Sequence, residues 1–423
     1  MKPRIAIVVQ RYGRDINGGA ELHARLLANA LGTRYQVDVL TSRAHDYQTW
    51  APELPAGEEW IDGVRVLRFD HPARNRRDKR HLPLRHKLRW VLRRWIERPG
   101  RPLAARPSGR DTPDGLAYLR GAGPTMDGLM DHLRQHGGDY AALIFFTARF
   151  HPAAMGVLLH PQRSLLLPTL HHEKTMVLPH FHRVFRAPHR ILWNTPAEAE
   201  AAQRLYGDDL APGVLCGVGI TVRDTPDAVE AAARAQRFDA LAAQHGIRSP
   251  YLVYVGRVDT SKGCDRLFAH FAALRATQPA GQALQLLVCG QWFMPRPTHP
   301  DIVATGFVSE ADRDLLIARA EALVIPSQHE SLSMVLLEAL AEGCAVIVNR
   351  RCEVLLRHVH DSGVGEAFDD SASFNAAVQR TLARDAATRT DQAARGRRYV
   401  RERYDWQRIV ERIGEAIDSI PRA

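Results

Sequence analysis

The chain has 423 residues, 45% of them hydrophobic and 25% charged, with a formal net charge of +10. That length exceeds one ordinary core and predicts two or three domains, while the composition excludes disordered and collagen-like classes. No apolar run approaches the roughly 18 to 20 residues a membrane-spanning helix needs, and the N-terminal stretch passes into polar sequence without a signal-type cleavage site, so the expected location is cytoplasmic. Cys216, Cys264, Cys289, Cys344 and Cys352 are odd in number and widely spaced, and they read as reduced thiols.

In chain order, residues 5–9 predict a short buried strand, followed by a loop ending in Asn17, Gly18 and Gly19 and a helix over 20–31. Glycines at that place let backbone approach a ligand closely. Strands are expected at 37–41 and 64–69, so the order strand, glycine loop, helix, strand opens a parallel sheet with crossover helices. Residues 74–101 hold twelve Lys and Arg against two acids, and the rest of the chain is near neutral. Within that stretch Leu84, Leu88, Val91, Leu92, Trp95 and Ile96 recur at helical spacing, with Arg85, Lys87, Arg89, Arg93 and Arg94 interleaved. A basic amphipathic helix of this kind suits an anionic membrane surface, and equally a stripe packed on its own domain. Nucleic acid is a third reading, with no accompanying binding motif. A Pro/Gly/Arg-rich loop over 99–113, a helix over 114–135, strands at 141–146, 164–167 and 190–193 and a helix over 196–206 complete one doubly wound domain.

After Gly217 and Gly219, an alanine-rich helix over 226–244 leads to a second βαβ series. Its strands are predicted at 251–255, 284–289, 302–305, 322–325 and 345–348, with helices over 264–276, 310–320 and from Ser333 to the stop at Gly343. Helices over 373–382, 392–403 and 405–417 close the chain. The expected organisation is an α/β protein with two facing doubly wound domains, over 1–217 and 218–405, and a terminal segment, 406–423, crossing back to the first. Such sheets bind ligands at their strands' carboxyl ends.

The strand over 251–255 runs into Gly256 and Arg257, and Lys262 with Gly263 follows five residues on. A guanidinium fork and a mobile ammonium at a strand-to-helix turn suit a diphosphate. Downstream, Glu330 and Glu338 flank a loop-to-helix junction, with Ser331 and Ser333 as expected caps, and free N–H groups at a helix start attract anions. No glycine set completes the dinucleotide fingerprint, which disfavours a nicotinamide enzyme. Asp312-Arg313-Asp314 spells D-x-D on a predicted helix, where the two acids diverge, and it reads as surface charge.

Taken together, 17–21 (Asn-Gly-Gly-Ala-Glu), Gly256-Arg257 with Lys262-Gly263, Glu330 with Glu338, and 194–198 (Asn-Thr-Pro-Ala-Glu) resemble the retaining glycosyltransferases of family 4, group 1 transferases with two facing Rossmann-like domains of the glycosyltransferase-B type. The resemblance spans nearly the whole chain, the 406 helix included. It implies that Arg257 and Lys262 neutralise the diphosphate of a nucleotide sugar, aided by backbone at Gly18, Gly19, Gly256, Ser331, Leu332 and Ser333. Glu338 would hold the ribose and Glu330 the transferred sugar, with His171 near that sugar and Glu21 and Glu173 on the acceptor side. Where the family has glycine, aromatic, glycine after the first glutamate, this chain has Ser331-Leu332-Ser333. The implied reaction is metal-independent transfer of a hexose with retention to a lipid-linked or oligosaccharide acceptor, in cell-surface polysaccharide or lipopolysaccharide synthesis, at the cytoplasmic membrane face through 74–101. No cofactor is implied beyond the donor, and no nucleic acid. A transferase with a soluble acceptor, a nucleotide-sugar 2-epimerase and a basic nucleic-acid-binding protein are the rival readings.

Overall fold

The computed structural model describes residues 2–16, 18–73, 113–170, 176, 178–223, 227–278 and 283–421. The basic stretch with Arg85, Lys87, Arg89, Arg93, Arg94 and Trp95 lies outside the described residues, as do Asn17, His171 and Glu173. Two compact units divide the chain: one holds Met1–Gly219 and Trp406–Ala423, the other Ile220–Asp405.

In the first unit the strands are β1 (Arg4–Val8), β2 (Gln36–Ser42), β3 (Gly57–Ile61), β4 (Val64–Phe69), β5 (Ala142–Phe146), β6 (Ser164–Leu167), β7 (Arg190–Trp193) and β8 (Gly213–Leu215). They form one sheet in the order β3-β4-β2-β1-β5-β6-β7-β8, parallel throughout except for β3 against β4. Central strands are continuous apolar runs because both faces are covered. In β1 and just after it, Ile5, Ile7 and Val9 enter one core with Ala24 and Leu27 of the helix Gly19–Leu31, while Ala6 and Val8 enter the other with Leu129 and Phe181. The terminal helix Trp406–Asp418 buries Ile409, Ile413 and Ile417 in the first of these cores.

The second unit has β9 (Tyr251–Val255), β10 (Gln285–Cys289), β11 (Ile302–Gly306), β12 (Ala322–Ile325), β13 (Val346–Asn349) and β14 (Glu366–Phe368), all parallel, in the order β11-β10-β9-β12-β13-β14. Among the described residues all five cysteines are buried, unpaired thiols, and no helix is long and apolar enough to cross a membrane.

The observed elements differ from the sequence reading in particular places. The single helix expected over 114–135 is two, Pro113–Ala122 and Asp127–His136, because Pro124 cannot continue a helix and Gly121 and Gly123 weaken the turn before it. β3 reads Gly-Glu-Glu-Trp-Ile and carries no apolar run, since it is an antiparallel edge strand whose acids, Glu58 and Glu59, pair with Arg65 and Arg68 of β4. The helix Glu353–Ser362 and strand β14 after it were also outside the predicted set.

Candidate active site

Each unit presents candidate residues at the carboxyl ends of its strands. In the first unit the chain leaves β1 through Gln10 and Arg11 and turns at Gly18 into the helix Gly19–Leu31, with no side-chain cap. Glu21, expected to face an acceptor, instead lies buried: its Oε1 accepts from Gln10 Nε2 at 3.0 Å and from Arg11 Nε and NH2 at 3.0 and 2.8 Å. Arg11, ten residues upstream, claims the carboxylate, so Glu21 fixes the glycine turn. The need for glycine at Gly18 follows, since a Cβ there would lie 2.1 Å from Glu21 Oε2. At Gly19 a Cβ meets nothing within 4 Å, so no protein contact demands that glycine.

The segment 194–198 folds around a second buried acid. Glu198, at 1% exposure, accepts from the N–H of Leu170 at 2.5 Å and of Asn194 at 2.6 Å, tying the end of β7 to the loop after β6 that leads to His171. Thr195 caps the helix Pro196–Tyr206 through the Glu198 N–H. Burial pushes the Glu198 carboxyl up to about 8 against the pull of those N–H donors. Between pH 4.5, its ordinary value, and about 8 the folded chain keeps a proton that the unfolded chain has released. Stability from this group is therefore greatest below the lower value and declines as pH rises through the upper, by up to about 1.4 kcal/mol per pH unit. Glu198→Gln is expected to flatten that decline, measured as urea midpoints from pH 5 to 8.5; an unchanged slope would refute the assignment.

Thr147 and Thr169, at the ends of β5 and β6, hold φ of 61° and 46°. Left-handed backbone at a β-branched residue is strained, and such strain concentrates at functional sites. Nothing in the sequence signals it.

In the second unit β9 ends at Gly256, and Arg257 follows. The turn Thr260–Lys262 precedes the helix Cys264–Thr277, so Lys262 stands before the helix start, not within it. Its Nζ lies 2.8 Å from Glu330 Oε1, with side chains 33% and 14% exposed. Arg257 Nε lies 2.8 Å from Asp259 Oδ2. Asp259 Oδ1 accepts from Ser261 Oγ at 2.6 Å and from the Lys262 N–H at 2.9 Å. Burial raises the Asp259 carboxyl, but the bonds from Ser261, Lys262 and Arg257 outweigh it and hold it below the usual range. Asp259 thus orients the Arg257 guanidinium and fixes the backbone turn at Lys262, and sequence reading missed it; its place two residues after Arg257 is the available signal.

Glu330 occupies the loop between β12 and the helix Met334–Glu342, where Asn349 Nδ2 donates to the Pro326 carbonyl at 2.9 Å. Leu332 has a buried side chain and a carbonyl that accepts from His358 Nε2 at 2.8 Å, which leaves its N–H as the backbone group it can offer. Ser333 is a correction. It takes the position before the helix with φ 66° and ψ 76°, makes no side-chain cap, and its buried Oγ has no partner among the described residues. Glu338 lies 3.3 Å from Arg313 NH2, and Arg313 NH2 is 2.8 Å from Asp314 Oδ1. Burial pushes the Glu338 carboxyl up to about 7, opposed by Arg313. The acids of Asp312-Arg313-Asp314 are not loose surface charge: Asp312 pairs with Arg237 at 2.7 Å and Asp314 with Arg223 at 2.9 Å.

At the end of β9 two cations, Arg257 and Lys262, are each paired with a carboxylate, and such paired cations are chemically able to exchange a carboxylate for another anion. This is a two-domain α/β protein of the glycosyltransferase-B type. More particularly, residues 249–384 match the family model described as Glycosyl transferases group 1. Glycogen synthase of Mycobacterium tuberculosis is 31% identical over 171 residues, covering 38% of this chain and 40% of the relative. D-inositol 3-phosphate glycosyltransferase of Kineococcus radiotolerans is 30% identical over 241 residues, covering 51% and 54%. The chain thus spans about half, or less, of the length of these curated relatives. Sucrose-phosphate synthase from Thermosynechococcus elongatus shares the fold, with a TM-score of 0.65 over 98% of both chains at 19% identity. Together the matches show the two-domain fold and the likeness of residues 249–384 to group 1 glycosyl transferases.

Proposed function

We propose that the chain is a metal-independent, retaining glycosyltransferase of family 4 that moves a hexose from a nucleotide diphosphate sugar to a glycan acceptor in cell-surface polysaccharide or lipopolysaccharide synthesis. The observation carrying this reading is the 2.8 Å Lys262–Glu330 pair beside Arg257. A diphosphate entering there exchanges one anionic partner of Lys262 for another, so Glu330 is released toward the sugar as the ammonium turns to the phosphate. Arg257, held by Asp259, meets the other phosphate, and the backbone of Gly256, Ser331 and Ser333 shares the charge. Glu338 takes the ribose hydroxyls, with Arg313 beside its carboxyl. The leaving phosphate accepts the acceptor hydroxyl's proton on the same face of the sugar, which preserves configuration. His171 and Glu173 belong to the sugar and acceptor side of this proposal, the basic stretch 74–101 to a peripheral contact with anionic membrane on the cytoplasmic side, and the acceptor is a lipid-linked glycan or an oligosaccharide.

A thermal-shift panel of nucleotides and nucleotide sugars tests the donor. A ligand at 100 times its dissociation constant stabilises by about 2.7 kcal/mol, and a panel with no shift would sink the reading. Product anomeric configuration by NMR tests retention, and flotation with anionic against neutral liposomes tests the membrane contact.

A further inference from the structure

We propose that His358 is a positioning residue of the donor loop, a role that rests on the donor-side reading of residues 330–333. His358 lies in the helix Glu353–Ser362 at 2% exposure. Its Nε2 is 2.8 Å from the Leu332 carbonyl and its Nδ1 is 2.8 Å from the Tyr399 hydroxyl. A carbonyl only accepts, so Nε2 carries the proton; Nδ1 is then bare and accepts from the Tyr399 O–H. The partners set one tautomer and one ring orientation. The Tyr399 and Tyr404 rings, centred 6.0 and 5.9 Å from the imidazole, close a box around it. Burial lowers the imidazole to about 4, which keeps it neutral.

What this holds is the peptide between Leu332 and Ser333. Turning that peptide over changes ψ of Leu332 and φ of Ser333 together, and would carry Ser333 from φ 66° back to an ordinary negative value. An L-residue is relieved of a steric clash by leaving the left-handed region. Ser333 has no side-chain hydrogen bond among the described residues to hold it there, whereas the flip would strip the Leu332 carbonyl of the His358 N–H in a buried place. His358 therefore fixes the direction of the Ser333 N–H, two residues past Ser331 and at the mouth of the helix. The same place in the resembled family carries glycine, which accepts either direction; this chain uses serine and a histidine clamp.

The test uses the full chain. His358→Gln can place an amide N–H at the Nε2 position, whereas His358→Asn cannot reach it. The donor KM of His358→Asn should rise about tenfold, the value of one hydrogen bond, with the acceptor KM unchanged; His358→Gln should stay within about threefold. Adding Ser333→Gly to His358→Asn should restore most of the donor KM, which a general loss of packing would not. Tyr399→Phe, removing only the hydroxyl, should give a smaller donor-only rise even if His358→Asn does not fold. A donor KM unchanged in folded His358→Asn and Tyr399→Phe, or donor and acceptor KM rising together with no rescue by Ser333→Gly, overturns the positioning role alone. Wild-type protein that binds no nucleoside diphosphate by calorimetry overturns it together with the donor-side reading.

Discussion

Lys262→Ala is expected to lower kcat/KM for transfer by about 10²–10³, the range seen when one preorganised charge or donor is removed from a developing anion. Two effects act in one direction. The ammonium that would meet the diphosphate is gone, and Glu330, 14% exposed and now without the Lys262 bond at 2.8 Å, faces the incoming anion with its charge intact. A carboxylate and a diphosphate in one partly desolvated site repel. Lys262→Ala/Glu330→Gln should therefore recover donor affinity relative to Lys262→Ala without recovering kcat, because the Glu330 carboxylate is also the group proposed to support charge at the anomeric centre. The single Glu330→Gln should lose kcat and keep donor KM near its native value. Steady-state kinetics of the three variants, with thermal midpoints to confirm folding, separate these effects. Native activity in Lys262→Ala, or additive losses in the double variant, would break the assignment.

Much of this site was legible in the amino-acid order because its parts are local. A buried strand, a glycine, Arg257 and Lys262 sit within twelve residues, and β9 and β12 came out at their expected limits because four consecutive buried apolar residues in a parallel sheet leave little ambiguity. The errors arose where a partner comes from elsewhere. Glu21 looked available because its spacing to the glycines says nothing of Arg11, whose guanidinium buries it. His358 stands 26 positions from the carbonyl it holds, and a lone histidine on a helix carries no mark of that. Ser333 in left-handed backbone is likewise invisible, since the residue usually chosen for that conformation is glycine.

The same logic makes Gly290 the most demanding backbone position at the end of the second sheet. Gly256 and Gly290 follow the ends of β9 and β10 and Gly306 ends β11, and the backbone joins them in a row: the Gly256 N–H donates to the Cys289 carbonyl at 3.0 Å and the Gly290 N–H to the Gly306 carbonyl at 2.8 Å. Gly290 has φ 144°, and a Cβ on it would stand 1.9 Å from the Gly256 carbonyl oxygen and 2.8 Å from its carbon. Backbone, not a flexible side chain, is in the way, so relief requires the two strand ends to part. Gly290→Ala is expected to destabilise the second unit by more than about 4 kcal/mol, the upper end of single-residue effects. Gly306→Ala is the control: its φ of 73° is also left-handed, but a Cβ there meets nothing within 4 Å, so the cost should be only about 1 kcal/mol. Urea denaturation of the two variants decides it, and equal midpoints would refute the close approach. The consequence reaches the chemistry, because Arg257 follows Gly256 directly and the Val258 N–H donates to the Gln291 carbonyl at 2.9 Å. Parting the strand ends at Gly290 moves the segment that aims Arg257. Any folded fraction of Gly290→Ala should therefore bind nucleoside diphosphate more weakly than wild type, while Gly306→Ala binds as wild type does.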